Sequence, residues 1–294
     1  MRRTRTGKRI ELTTRDFEIF KLLGSYRYLR STYIHAFVGG ASVRRFKERL
    51  GDLFHEGYLD RPEEQWRFAG ARYQPAVHEV GAGAARALRE AGNEPDRRSF
   101  LGESGHRQFL HSLMVCETLA SIDLAARGRP GLRLVGWPEI LAKAPEATRH
   151  SPLPQRLTVG QGAIIPDGLF GLEYNVDGVK SYRFFALELD RGTMPLLRSD
   201  ARQTSHLAKL DRYREAIASG LHKAHWGLPN LLVLTVMADE RRASTALTRL
   251  RGSTLAQLFL FKSIHPRELD APLPNLLAAT WQRPGLEPFD LGRP

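Results

Sequence analysis

The stretch IPDGLFGLEYNVDGVKSYRFFALELDRGT, residues 165–193, decides how the second half of this chain is read. Two runs rich in branched and aromatic residues, 163–174 and 182–190, flank Asn175, Val176, Asp177 and Gly178, whose Asp-Gly step favours a tight hairpin. Alternate side chains of a strand share a face, so Phe184, Ala186, Glu188 and Asp190 point one way and Phe185, Leu187 and Leu189 the other. Glu188 and Asp190 therefore project side by side, and Asp167, after Pro166, opens the first strand. Carboxylates converging at strand ends repel, and a hard divalent cation such as Mg²⁺ neutralises such a cluster and can acidify a bound water. Spacing alone equally allows ion pairs with Arg191, Arg198 or Arg202, and a turn-capping Asp167.

Working outward, the pattern predicts a long helix over 106–127, a strand over 132–137 and a looser proline-containing segment to 161. After the hairpin come a helix over 200–219, a strand over 230–237, a helix over 240–251 and a strand over 256–261. This α-β-β-β-α-β-α-β order implies a mixed sheet flanked by helices, an α/β domain over 105–265, followed by a proline-rich tail over 266–294. Cys116 reads as a small buried hydrophobe, Trp137, Trp226 and Trp281 as packing residues, and His222 and His225 as surface histidines.

Toward the N-terminus three helices follow in quick succession. Thr13 or Thr14 caps the first, with Phe17, Phe20 and Leu23 at helical spacing and Gly24 as its end. The second runs from Ser31 or Thr32 to the Gly39-Gly40 pair. The third spans 42–55, with Val43, Phe46, Leu50 and Leu53 inward and Arg44, Arg45 and Arg49 outward. A strand at Tyr58 and Leu59 turns near Pro62 and returns over 66–73, the stretch 73–80 is strand-like, and an alanine-rich helix covers 81–91. Helix, helix, turn, basic helix and hairpin is the plan of a winged helix-turn-helix over 12–92, with a domain boundary near 92–105. Its DNA contacts are expected at Ser42, Arg44, Arg45 and Arg49, and in a basic arm over 1–11 carrying Arg2, Arg3, Arg5, Lys8 and Arg9.

Composition agrees. The 294 residues carry 44 Lys and Arg against 32 Asp and Glu, a net charge of +12 that favours a polyanionic partner. Residues 1–72 alone hold sixteen basic against nine acidic groups, so the excess is concentrated where the helix-turn-helix is read. One cysteine excludes a disulfide framework and fits a reducing cytoplasm. No uninterrupted apolar run reaches membrane-spanning length, and the basic start leads into polar residues, so neither a membrane partner nor a secretory signal is expected.

The acidic hairpin resembles the PD-(D/E)XK nuclease superfamily. Asp167 matches its first acid and Glu188 its second, while Asp190 stands where that superfamily has a lysine. The resemblance implies catalysis by Asp167 and Glu188, metal binding by Asp167, Glu188 and Asp190, and a migrated lysine, best supplied by Lys209 and then by Lys180 or Arg191. Gln203 and His206 on the same helix would face the site, and Glu117 would be an additional acid. Over the whole chain, Pro166-Asp167-Gly168, Glu188 to Thr193 and Lys209 to Tyr213, in that order, resemble the replication-relaxation family of plasmids and integrative elements. That resemblance implies a winged helix joined to a nuclease-like domain.

Three functions follow as expectations. The first is a DNA-binding protein of a mobile element, acting in plasmid replication, transfer or its regulation, with double-stranded DNA as partner and a homodimer as a compatible assembly. The second is a Mg²⁺-dependent endonuclease nicking near the bound site. The third is an adaptor whose winged helix binds protein.

Overall fold

The first helix, α1 (Thr14–Tyr26), starts where Thr13 and Asp16 form a capping box. The Thr13 backbone N–H donates to Asp16 Oδ2 at 2.7 Å, and the Asp16 N–H donates back to the Thr13 hydroxyl at 3.4 Å. Its buried face is Ile19, Phe20 and Leu23, and Phe17 lies beside that core only partly buried. Gly24 does not stop the helix, which runs on until Arg27 adopts a positive φ of 54°. The computed structural model describes residues 3–4, 6–40, 42–67, 70, 73–93, 106–192 and 206–294. The chain forms two compact units, Met1–Leu124 with Leu269–Pro272, and Ala125–Glu268 with Leu273–Pro294.

In the first unit β1 (Leu29–Arg30) leads into α2 (Ser31–Val38), and α3 (Val43–His55) follows with Ser42 as its N-cap. The Ser42 hydroxyl accepts the Arg45 N–H at 3.3 Å. Phe46, Leu50, Leu53 and Phe54 face the core; Val43, expected among them, is half exposed. Next come β2 (Leu59–Asp60), β3 (Val77–Val80) and α4 (Ala82–Glu90), with the three strands in an antiparallel sheet of order β1-β3-β2. The returning strand is therefore Val77–Val80, inside the stretch 73–80 read as strand-like, and not 66–73. Glu63–Arg67 forms a 3₁₀ turn instead, because the buried Gln65 amide donates to the carbonyls of Pro62 and Val77 and accepts from the Val77 N–H. That side chain satisfies backbone groups a strand ladder would otherwise pair. The turn between α3 and β2 meets the start of α4 closely: a Cβ on Gly81 would lie 2.7 Å from the Gly57 carbonyl oxygen.

The long helix α5 (His106–Arg127) was expected to open the second domain. Its Phe109, Leu113, Cys116 and Ala120 instead complete the first unit's core, and the first unit extends to Leu124. The predicted boundary falls largely on 94–105, outside the described residues. Residues 109–127 have the length and mean hydropathy, 1.3, of a membrane span, although polar residues interrupt every apolar run within them. Two thirds of that stretch is buried, and it holds polar groups fixed by partners. Arg30 pairs with Glu117 and, at 3.2 Å, with Asp270, and the Tyr26 hydroxyl donates to Asp123 at 2.8 Å. Thr32 and Tyr33 donate to the carbonyls of Asp270 and Ala271, so part of the expected tail is built into this unit.

The second unit is a seven-stranded sheet of order β12-β11-β10-β9-β8-β7-β4. Its strands are β4 (Leu132–Val135), β7 (Gly168–Val176), β8 (Val179–Asp190), β9 (Leu232–Met237), β10 (Phe259–Ser263), β11 (Ala279–Arg283) and β12 (Leu286–Asp290). β8, β9 and β10 are parallel and the remaining pairs antiparallel. α8 (His206–Ala218) and α10 (Glu240–Leu250) contribute Leu210, Tyr213, Ala216, Ala243 and Ala246 to a core shared with Ala186, Val233, Phe259 and Phe261. The hairpin turns as read: Asp177 and Gly178 both take positive φ, 51° and 82°.

Three expectations change in this unit. The segment over 137–161 is ordered into α6 (Trp137–Lys143), α7 (Glu146–Arg149) and β5 (Leu157–Val159), which pairs with β6 (Gly162–Ile164). The strand over 163–174 is thus broken at Ile165 and Pro166 between β6 and β7, as befits a proline without an N–H for the ladder. The end of the tail supplies β11 and β12 and buries Trp281 completely. His222 and His225, read as surface residues, lie on α9 (Leu221–Trp226); His222 is buried and His225 Nε2 sits 3.1 Å from the Pro154 carbonyl.

Candidate functional site

Three parallel strands place their C-terminal ends together, the edge at which open α/β sheets bind ligands. β8 delivers Glu188 and Asp190 there, in register with Thr235 and Met237 of β9. β7 runs antiparallel to β8, so Asp167, just ahead of its first residue, reaches the same edge. The Asp167 N–H donates to the Leu187 carbonyl at 3.0 Å, and its Oδ2 accepts the Leu189 N–H at 2.8 Å. α8 then lays His206, Lys209 and Tyr213, one or two turns apart, along the face that meets the sheet.

The structure brings Lys209 to Glu188. Its Nζ lies 2.5 Å from Oε2, and the Tyr213 hydroxyl donates to Oε1 at 2.5 Å, so both oxygens of a carboxylate only 2% exposed are engaged. Burial pushes the Glu188 carboxyl up to about 7, with the Asp167 charge adding to the rise and Lys209 opposing it. Burial alone would depress the Lys209 ammonium, but the charges of Glu188 and Asp167 outweigh it and hold it above the ordinary lysine value. His206 is buried, and desolvation lowers its pKa despite the nearby charges of Asp190 and Asp167.

Asp190 is engaged elsewhere. Arg242 donates from Nε and Nη2 to Asp190 Oδ2 at 3.0 and 2.6 Å, and the Gly192 N–H donates to Oδ1 at 2.9 Å. Among the described residues no set of three His, Cys, Asp or Glu side chains is arranged to hold a metal ion. Glu188 is engaged by Lys209 and Tyr213 and Asp190 by Arg242, so a Mg²⁺ ion at this edge would have to compete with those partners for the two carboxylates.

Lys180 pairs with Glu173 at 3.0 Å and not with the acidic edge. Glu117 lies in the first unit on Arg30, where burial pushes its carboxyl up to about 8. Gln203, Arg198, Arg202, Thr193, Arg2 and Arg5 lie outside the described residues. On α3, Arg44, Arg45 and Lys47 are exposed, and Arg44 pairs with its helix neighbour Glu48 at 3.0 Å. Arg49 departs from its expected outward position: it donates to both oxygens of buried Asp16 at 3.0 and 2.6 Å and to the Glu11 carbonyl at 2.7 Å. Sequence reasoning missed Tyr213 and Arg242 as partners of the two acids. The four-residue step from Lys209 to Tyr213 was a readable signal for the first, whereas nothing local announces the second.

The profile of the family described as replication-relaxation matches residues 20–232, more than half of the chain. The protein belongs to the replication-relaxation family. The match runs from α1 across the acidic hairpin and α8 into β9, and so includes every side chain of the Asp167, Glu188 and Lys209 constellation. No curated protein and no solved structure matches the chain.

Proposed function

We propose that this member of the replication-relaxation family is a DNA-binding protein of a mobile genetic element, acting in its replication or transfer from within the cytoplasm. The observation that carries the reading is the exposed basic start of α3, Arg44, Arg45 and Lys47, on a helix capped by Ser42. α1, α2 and α3 followed by the small antiparallel sheet have the order of a winged helix-turn-helix, in which the third helix enters the major groove of duplex DNA. The net charge of +12 supplies the attraction to phosphates. The second unit, with its acids compensated by Lys209, Tyr213 and Arg242, serves as a nuclease-like scaffold for further contacts or for pairing of two chains.

The test is gel retardation of duplex DNA across a salt series. Retardation that weakens steeply with salt, and falls for the Arg44→Ala, Arg45→Ala double variant while its unfolding curve stays unchanged, supports the reading. Salt-insensitive binding, or a variant that binds as well as the parent, overturns it for this helix.

A second reading, an endonuclease, draws on one observation: Lys209 comes from another element to stand beside Glu188, with Asp167 at the same sheet edge. Supercoiled plasmid incubated with the protein and Mg²⁺ or Mn²⁺ decides it. Nicking that disappears in Glu188→Ala establishes hydrolysis; retardation without nicking leaves a binding protein on a nuclease-like scaffold.

A further inference from the structure

The basic arm was read as a strip that lies on phosphates, yet its described residues already lie along α3. Arg3 donates from Nε to the Phe54 carbonyl and from Nη2 to the Leu59 carbonyl, each at 2.9 Å. It also pairs with Asp60 and sits over the Phe54 ring, 5.3 Å from its centroid. Thr6 donates its N–H and its hydroxyl to Glu56 Oε1 at 2.9 and 2.6 Å, and Lys8 Nζ meets Asp52 Oδ2 at 2.5 Å. Glu11 then offers its carbonyl to Arg49. The arm thus runs back along the helix, its early residues at the helix end and its later ones nearer the start.

The charges it covers are of one kind. α3 begins basic, with Arg44, Arg45 and Lys47, and continues acidic through Asp52, then Glu56 and Asp60 just past its end. A polyanion approaching the basic turns would meet those three carboxylates next, and like charges at an interface rim oppose association. Each of the three has an arm partner, and Glu48, the remaining acid on α3 outside this group, has Arg44. Ion pairs this exposed add little to stability, so their consequence lies in the field the surface presents.

We infer that the arm is a counter-charge strip: Arg3 and Lys8 neutralise Asp60 and Asp52 so that the length of α3 is acceptable to a polyanion. On this account Arg3 and Lys8 are positioning residues, not phosphate contacts. The inference rests on the DNA-binding reading above.

A double-mutant cycle in the full chain tests it, pairing Arg3→Gln with Lys8→Gln on the arm against Asp52→Asn with Asp60→Asn on the acids. Retardation of one duplex is measured at fixed salt, with circular dichroism confirming that all four proteins are folded. The arm pair is expected to weaken binding about five- to tenfold in the parent and less than about twofold where the acids are already neutral. Equal losses in both backgrounds would make Arg3 and Lys8 independent phosphate contacts and overturn the inference while leaving DNA binding intact. Absence of binding by the parent chain would overturn both.

Discussion

Lys209 and Glu188 show how far a single residue can be read ahead of the fold. The choice of residue was legible through the resemblance alone: Asp190 stands where the nuclease superfamily has a lysine, which implies a cation from elsewhere, and Lys209 sits on the next helix with helical spacing to His206 and Tyr213. Their contact across twenty-one positions of sequence was not, because it depends on how α8 crosses the sheet. Lys209→Met leaves the 2% exposed Glu188 without its counter-charge and is expected to cost about 3 kcal/mol, the range for breaking one partner of a buried pair. Glu188→Gln keeps an acceptor for the Tyr213 hydroxyl and should cost less. Urea unfolding of both variants ranks them; a Lys209→Met protein as stable as the parent removes the pair from the account.

At the scale of one element, α3 separates arginines that look equivalent in sequence. Arg44, Arg45 and Arg49 all fall outside the apolar stripe, but only the first two are exposed, while Arg49 reaches back to the capping box of α1. Sequence reveals which face of a helix is polar, yet not what stands opposite that face. Arg49→Ala is expected to lower stability by about 1–3 kcal/mol, since it strips a charged bond from buried Asp16. Arg44→Ala should leave the melting curve within about 0.5 kcal/mol of the parent. Thermal unfolding of the two variants side by side tests the distinction, and equal melting curves would refute it. Burial works to raise the Asp16 carboxyl, but Arg49 and Thr13 outweigh it and hold it below the ordinary value. Its stabilisation is therefore present above about pH 4 and is lost as the pH falls through the depressed value. The parent should lose more stability below pH 4 than Arg49→Ala does.

For the whole molecule, acid is expected to weaken the fold through His78 as well. This imidazole is buried beside Arg61, and desolvation with that charge lowers its pKa from 6.5 to about 3. Between those values the unfolded chain binds a proton that the folded chain refuses, so stability is present above about pH 6.5 and falls as the pH drops toward 3. Melting temperatures from pH 7 to pH 4 should decline less steeply in His78→Gln; parallel slopes would exclude the histidine as the cause. The C-terminal end carries a second expectation at this scale. Removing residues 273–294 deletes β11 and β12, the completely buried Trp281 and the cover on the β10 edge, so the shortened chain should be aggregation-prone and poorly folded. A soluble, cooperatively melting product would show that the sheet stands without them.

Local chemistry in the sequence determined most of the long elements, the Asp177-Gly178 turn, the basic bias of the first quarter and the side-by-side projection of Glu188 and Asp190, because period, turn propensity and charge are properties of neighbouring residues. Tertiary structure decided the rest. It assigned α5 to the first unit, drew the proline-rich tail into the core of one unit and the sheet of the other, gave Asp190 to Arg242, and laid the arm on the acids of α3. Each of those outcomes turns on which surfaces meet across tens or hundreds of residues, and the burial and pairing energies that select them are properties of the assembled chain, carried by no single segment.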